Sequence, residues 1–127
     1  MWVDFSSIFF FQLAVSESLD TPEFTVVVCH KQLVVGCAFM TPEGYISFIV
    51  VHPEWRGLGV ATFMLYHLIQ VCVGKDITLH VSATNSAMIL YQKFGFKPEQ
   101  FIVNFYDKYY PEGSTECKNA FFIRLRR

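Results

Sequence analysis

Val51-His52-Pro53-Glu54-Trp55-Arg56-Gly57-Leu58-Gly59-Val60-Ala61-Thr62 is the stretch whose reading decides the fold. It leaves a β-branched strand, stops at Pro53, turns through two glycines and enters an amphipathic helix without a linker. Apolar residues at Val60, Phe63, Met64, Leu68 and Val71 form one stripe along that helix, read over Gly59–Val73, and Gly74 ends it. A turn that opens a helix presents N–H groups without intrahelical partners and the positive end of the helix dipole, which together suit a phosphate. Gly57 and Gly59 let the backbone approach such a group, where a side chain would stand in the way. Taken alone, the same residues would also make a plain strand–turn–helix joint with glycines for tight packing.

A second stretch, Ala83–Phe96 (ATNSAMILYQKFGF), reads as another turn opening a helix. Asn85 or Ser86 can cap a helix running to Phe94, with Gly95 as its C′ residue and Tyr91 well inside it. Around these two segments, Phe24–His30 and Leu33–Met40 are β-branched runs separated by Lys31-Gln32, which predicts an antiparallel hairpin. Thr41-Pro42-Glu43-Gly44 reads as a turn and Tyr45–His52 as a third strand. Ile77–Ser82 predicts a strand, and Phe101–Phe105 and Ala120–Leu125 two closing strands. The expected class is therefore α/β: a mixed, mostly antiparallel sheet with helices on its faces.

The chain has 127 residues, enough for one domain with a single core. With 53% hydrophobic and 17% aromatic residues it is too apolar for extended disorder. Its 14 Phe exceed what a small core needs, so some are expected to line a groove or meet a partner. A net charge of −1 supplies no global field to hold nucleic acid, and no direct nucleic-acid or membrane partner is expected. Arg124, Arg126 and Arg127 read as a solvated basic chain end. Cys29, Cys37, Cys72 and Cys117 have no C-x-x-C spacing, and three of them sit in apolar patterns where buried thiols are ordinary, so a reduced intracellular setting is expected. His30, His52 and His67 have no metal-ligand spacing with Cys or acidic residues, and no metal is predicted. Ile8–Val15 is short, follows Asp4 and lacks a basic leader, so it reads as a partly buried helix rather than a signal or membrane span.

Arg56-Gly57-Leu58-Gly59-Val60-Ala61 fits R-x-x-G-x-G/A, and Asn85, Tyr91 and Gly95-Phe96 follow in the order N-x5-Y-x3-G-F. In both pieces the chain resembles the GCN5-related N-acetyltransferase (GNAT) superfamily. That superfamily ordinarily has a strand and one or two helices before its first hairpin. Only residues 1–23 precede Phe24, so they are read as a shortened N-terminal helical segment, with the first strand absent or supplied elsewhere, and 24–127 as the acetyltransferase domain. The chain looks like the C-terminal domain of something longer, or a shortened version of one. The runs Tyr45–Gln70, Leu79–Phe96, Asn104–Pro111 and Ser114–Arg127 narrow the resemblance to protein lysine acetyltransferases of nuclear coactivator complexes. This implies histone or other protein lysine acceptors and complex subunits as partners.

The resemblance also assigns roles. Leu58, Gly59, Val60, Ala61 and Thr62 would give amides to the pyrophosphate of the cosubstrate acetyl-CoA, beside Arg56 and Gly57. Ile49, Val50 and Val51 would lie where a strand splays and bonds the pantetheine arm, one N–H polarising the thioester carbonyl. Tyr91 matches the tyrosine that protonates the departing thiolate. Asn85 matches a residue that touches the cofactor arm and is equally a good helix cap. The strand Glu that many relatives use as base is replaced by Tyr45. Glu43 lies two residues earlier. His80 with Tyr45 matches a pair that, in one N-terminal acetyltransferase subfamily, holds a catalytic water. Tyr106, Tyr109 and Tyr110, near Asp107 and Glu112, fall in the segment that forms one acceptor wall, where aromatic rings and carboxylates suit an amine. Direct attack by the amine is expected, since neither motif holds a cysteine. Acetylation of α-amines or small amines, and a non-catalytic acyl-CoA-binding module, are the rival expectations.

Overall fold

The computed structural model describes residues 24–105 and 118–127. The expected segment 1–23 and the acceptor tyrosines Tyr106, Tyr109 and Tyr110 lie outside them.

Among the described residues, six strands and two α-helices follow in the order β1 (Thr25–His30), β2 (Leu33–Met40), β3 (Tyr45–Val51), α1 (Val60–Val71), β4 (Ile77–Ser82), α2 (Met88–Phe94), β5 (Lys97–Ile102) and β6 (Ala120–Leu125). They form one sheet in the order β1-β2-β3-β4-β6-β5. All neighbours are antiparallel except β3 and β4. The expected mixed, mostly antiparallel sheet with helices is therefore observed.

One strand differs from its reading. The closing strand expected over Phe101–Phe105 runs instead over Lys97–Ile102, with Val103–Phe105 in a turn. Pro98 argues against a strand only in a sheet interior, and β5 is an edge, where the lost donor is tolerated.

The core lies on one face of the sheet. Met64, Leu65 and Leu68 of α1 meet Ile46, Ile49 and Val51 of β3, Leu79 and Val81 of β4, Ile123 of β6 and Tyr91 of α2. Each such apolar side chain contributes about 1.5–3 kcal/mol relative to exposure. On β3 the inward residues Ile46 and Ile49 are three apart, which strict alternation forbids. The register against β2 shifts between Phe39 and Met40, leaving Ser47 as the extra residue of a bulge. Beyond it Phe48 turns to the opposite face, where it joins Phe39, Cys37 and Val50 in a smaller cluster.

Gly44 sets the start of the β3–β4 pairing. Its φ is +97°, its carbonyl accepts from the Thr78 amide at 2.9 Å, and an added Cβ would lie 2.4 Å from the Asp76 carbonyl oxygen. Gly44→Ala is expected to cost about 2–4 kcal/mol, combining a left-handed backbone penalty with overpacking. Urea unfolding would show this as a lower midpoint at unchanged slope.

The three arginines are not a free chain end. Arg124 bridges Asp76 at 3.3 Å and Glu99 at 2.7 Å, and Arg126 meets Glu99 at 2.8 Å. The Arg127 guanidinium donates to the carbonyls of Ile69 and Cys72, capping the end of α1. Its backbone N–H, 2.9 Å from Asp76 Oδ1, is the main reason the Asp76 carboxyl sits below its usual pKa. The cysteines depart from expectation too: Cys72 is buried, Cys37 only partly so, and Cys29 is exposed. Burial pushes the Cys37 thiol pKa up.

Candidate active site

β3 and β4 pair in parallel only at Tyr45–Thr78 and Ile46–Leu79. Past that point β3 stays bound to β2 as far as Val51, while β4 stays bound to β6 along its whole length. The two strands part, and among the described residues no strand pairs with the edge of β3 that faces β4 beyond Ile46. Backbone polar groups exposed in such a gap are available to a ligand.

On the core side, a cleft of about 500 Å³ opens beside this gap. It is lined by Ile49 and Val51 of β3, by Trp55, Arg56, Gly57 and Gly59, by Val60, Ala61 and Thr62, and by Ser86, Ala87, Leu90 and Tyr91. Gly57 and Gly59 have φ of +77° and +86°, and a Cβ built on either meets no atom within 4 Å. The turn is thus glycine-built for its backbone and open toward the cleft. No side chain caps α1, and its first turn carries no acidic residue, so its N–H groups are offered to an anion.

Most of the residues expected to bind the cofactor are brought together here. Leu58 is not among the lining residues: it is 68% exposed, at the crest of the turn. Val50 belongs to the opposite face of the sheet, and Asn85 lies just outside the cleft. Its Oδ1 accepts from the Ala87 amide at 2.8 Å, so the side chain ties the turn entering α2. Glu43 is exposed on the turn that precedes β3, outside the strand.

Trp55, Ser86, Ala87 and Leu90 line the cleft and were missed from sequence. For two of them a signal existed: Ala87 and Leu90 lie on the helix face of Tyr91, which is four residues from Ala87 and follows Leu90. Trp55 is carried by a 3₁₀ turn, Pro53–Trp55, with the His52 ring accepting from the Glu54 amide at 3.1 Å.

Tyr91 is 1% exposed, and its ring meets Phe96 edge-on at 5.8 Å. Burial holds its pKa well above the ordinary tyrosine value. The hydroxyl therefore keeps its proton throughout the physiological range, as a proton donor must.

His80 lies on β4 between Leu79 and Val81, both core residues, so strand alternation turns it to the opposite face. There its Nδ1 lies 2.8 Å from the Tyr45 hydroxyl. The rings of Phe105, Phe122 and Tyr45 surround it at 4.2, 5.0 and 5.6 Å. Desolvation lowers its pKa below 6.5, so at neutral pH the ring is uncharged. In the tautomer whose Nδ1–H donates to the Tyr45 oxygen, Nε2 has a lone pair that can take a proton. His80 stands one residue past the last β3–β4 pair. His80 and Tyr91 thus flank one gap from opposite faces of the sheet.

Among the described residues no group of three His, Cys, Asp or Glu is placed to hold a metal ion, and no helix is long and apolar enough to cross a membrane.

A parted pair of parallel strands beside an uncapped glycine turn defines an acyl-CoA-dependent acyltransferase site, and the sequence comparisons agree. Residues 21–98 match the family described as acetyltransferase (GNAT) domain. The chain belongs to the GCN5-related N-acetyltransferase family and is an acetyl-CoA-dependent N-acetyltransferase domain. It is 64% identical over 117 residues to the cysteine-rich protein 2-binding protein of Mus musculus, covering 88% of this chain and 15% of that protein. The chain therefore spans a small part of the length of that relative. It is 36% identical over 72 residues to N-alpha-acetyltransferase 50 of Danio rerio, covering 53% of this chain and 43% of that one. Arabidopsis thaliana Naa50, solved in complex with a bisubstrate analogue, shares the fold with a TM-score of 0.68 at 21% identity, over 100% of this chain and 97% of that one.

Proposed function

We propose that this chain transfers acetyl from acetyl-CoA to a lysine side chain of a protein, with histone tails as acceptor, inside a nuclear coactivator assembly. The acceptor class and setting rest on the sequence resemblance to the lysine acetyltransferase subunit of the ATAC coactivator complex. The chemistry rests on one observation, the 2.8 Å contact between His80 and Tyr45 across the sheet from Tyr91.

Acetyl-CoA suits the residues present: an open glycine turn and an uncapped helix start for its phosphates, and apolar Ile49, Val51 and Leu90 for its arm. Bound there, it supplies an acetyl group activated as a thioester. A backbone N–H on β3 would polarise the carbonyl, and Tyr91 would give its proton to the leaving sulfur. A lysine amine with an ordinary pKa of about 10.4 is protonated at neutral pH, and neutralising it costs about 4–5 kcal/mol. The Tyr45–His80 pair takes that proton, directly or through a water.

Because desolvation lowers the pKa of His80, its base form is lost only as pH falls through a value below 6.5. The acid limb of kcat is expected below pH 6.5, with no loss from pH 7 to 8. Steady-state rates between pH 5 and 9 check this, and an acid limb above pH 7 contradicts the assignment.

Acetylation of α-amines is the second reading. It is favoured by the Tyr45–His80 contact and by the similarity to N-alpha-acetyltransferase 50. A mass-spectrometric assay with acetyl-CoA, histone-tail peptides, free N-terminal peptides and polyamines separates the readings. Acetyl on lysine side chains supports the first, and acetyl on α-amines alone replaces it with the second. Binding without transfer to any acceptor overturns both in favour of a docking module.

A further inference from the structure

Phe105 stands at the end of the described β5–β6 connection, immediately before residues 106–117. Its ring lies 4.2 Å from that of His80 and 12° from parallel, the flattest of the three ring contacts His80 makes. A parallel neighbour at this distance fixes the plane of the imidazole, and hence which nitrogen meets Tyr45 and which faces away. Phe105 is itself placed by a built turn. Asn104 adopts φ +58°, a left-handed backbone that Asn tolerates better than most residues. Its amide donates to Asn119 Oδ1 at 2.9 Å, while the Asn119 carbonyl accepts from Ala83 at 3.0 Å, just past β4. Asn119 thus ties together the strand that carries His80 and the turn that carries Phe105.

We propose that Phe105, held by the Asn104–Asn119 turn, is a positioning residue that sets the ring plane of His80 and couples that turn to the Tyr45–His80 pair. Its catalytic consequence rests on the reading of His80 as base; its effect on the imidazole does not. Among the described residues, the groups facing His80 are Tyr45 from β3, Phe122 from β6 and Phe105. Arg124 lies 5.8 Å from the Phe122 ring centroid and is paired with Asp76 and Glu99. Removing Phe105 therefore changes the solvation and orientation of His80 without removing a charge.

The experiment is a histidine NMR titration together with steady-state kinetics on Phe105→Leu, Phe105→Tyr and Asn119→Ala, with the His80 signal identified by its loss in His80→Gln. In Phe105→Leu the His80 titration should move up toward pH 6.5 and kcat should fall about fivefold to tenfold, at unchanged KM for acetyl-CoA. Phe105→Tyr keeps the ring and should restore both, and Asn119→Ala should move the titration in the same direction. An unmoved His80 titration in Phe105→Leu overturns the proposal, as does a loss that Phe105→Tyr fails to restore. If the titration moves while His80→Gln keeps full activity, the positioning role stands and the base assignment falls.

Discussion

His80→Gln lowers kcat for lysine acetylation by about a hundredfold or more at neutral pH, within the range of about 10²–10⁴ that a placed general base contributes. The reasoning is geometric. His80 is half-buried among three rings, its Nδ1 is engaged at 2.8 Å by Tyr45, and it stands where β3 and β4 part. Glutamine keeps a polar side chain of similar reach but cannot take a proton at this pH. Because His80 lies on the face away from the cleft, acetyl-CoA affinity should stay within about twofold of the parent, measured by calorimetry. A kcat loss below about threefold, roughly 0.65 kcal/mol of barrier, removes His80 from the base role.

Tyr91→Phe is the second large effect. The ring is packed against Phe96 and lines the cleft beside Leu90 and Ala87, so phenylalanine fills the same space and loses only the hydroxyl. A fall in kcat of about a hundredfold is expected, at nearly unchanged acetyl-CoA affinity. Since burial holds the Tyr91 pKa high, the parent should show no descending limb from this group up to pH 9, and the ratio of parent to variant should stay flat from pH 7 to 9. Steady-state kinetics over that range check it. Unchanged turnover in the variant sinks the general-acid assignment.

The sequence was most informative where local chemistry decides structure. The β-branched runs Leu33–Met40, Ile77–Ser82 and Ala120–Leu125 occupy strands with the boundaries read from pattern alone. Gly95 indeed closes α2 at φ +104°. The part that long-range packing decides was not legible. Pro98 hid β5 because edge position is a property of the whole sheet. The arginines at the chain end looked solvated because Asp76 and Glu99 are distant in sequence. Tyr45 and His80 could be named as a matching pair, but only the parallel register of β3 on β4 brings residues 35 apart into contact. Phe105 was read only as the end of a strand, since its contact with His80 comes from a turn pinned by Asn119.

The central claim is that the parted strands and the glycine turn form one acetyl-CoA site between Tyr91 and His80. Amide hydrogen exchange, followed by mass spectrometry with and without acetyl-CoA, tests it most directly. The account predicts slower exchange confined to Ile49–Val51, to residues 58–62 and to the start of α2, with β1 and β5 unaffected. Binding accompanied by protection elsewhere, with these segments unchanged, would contradict it.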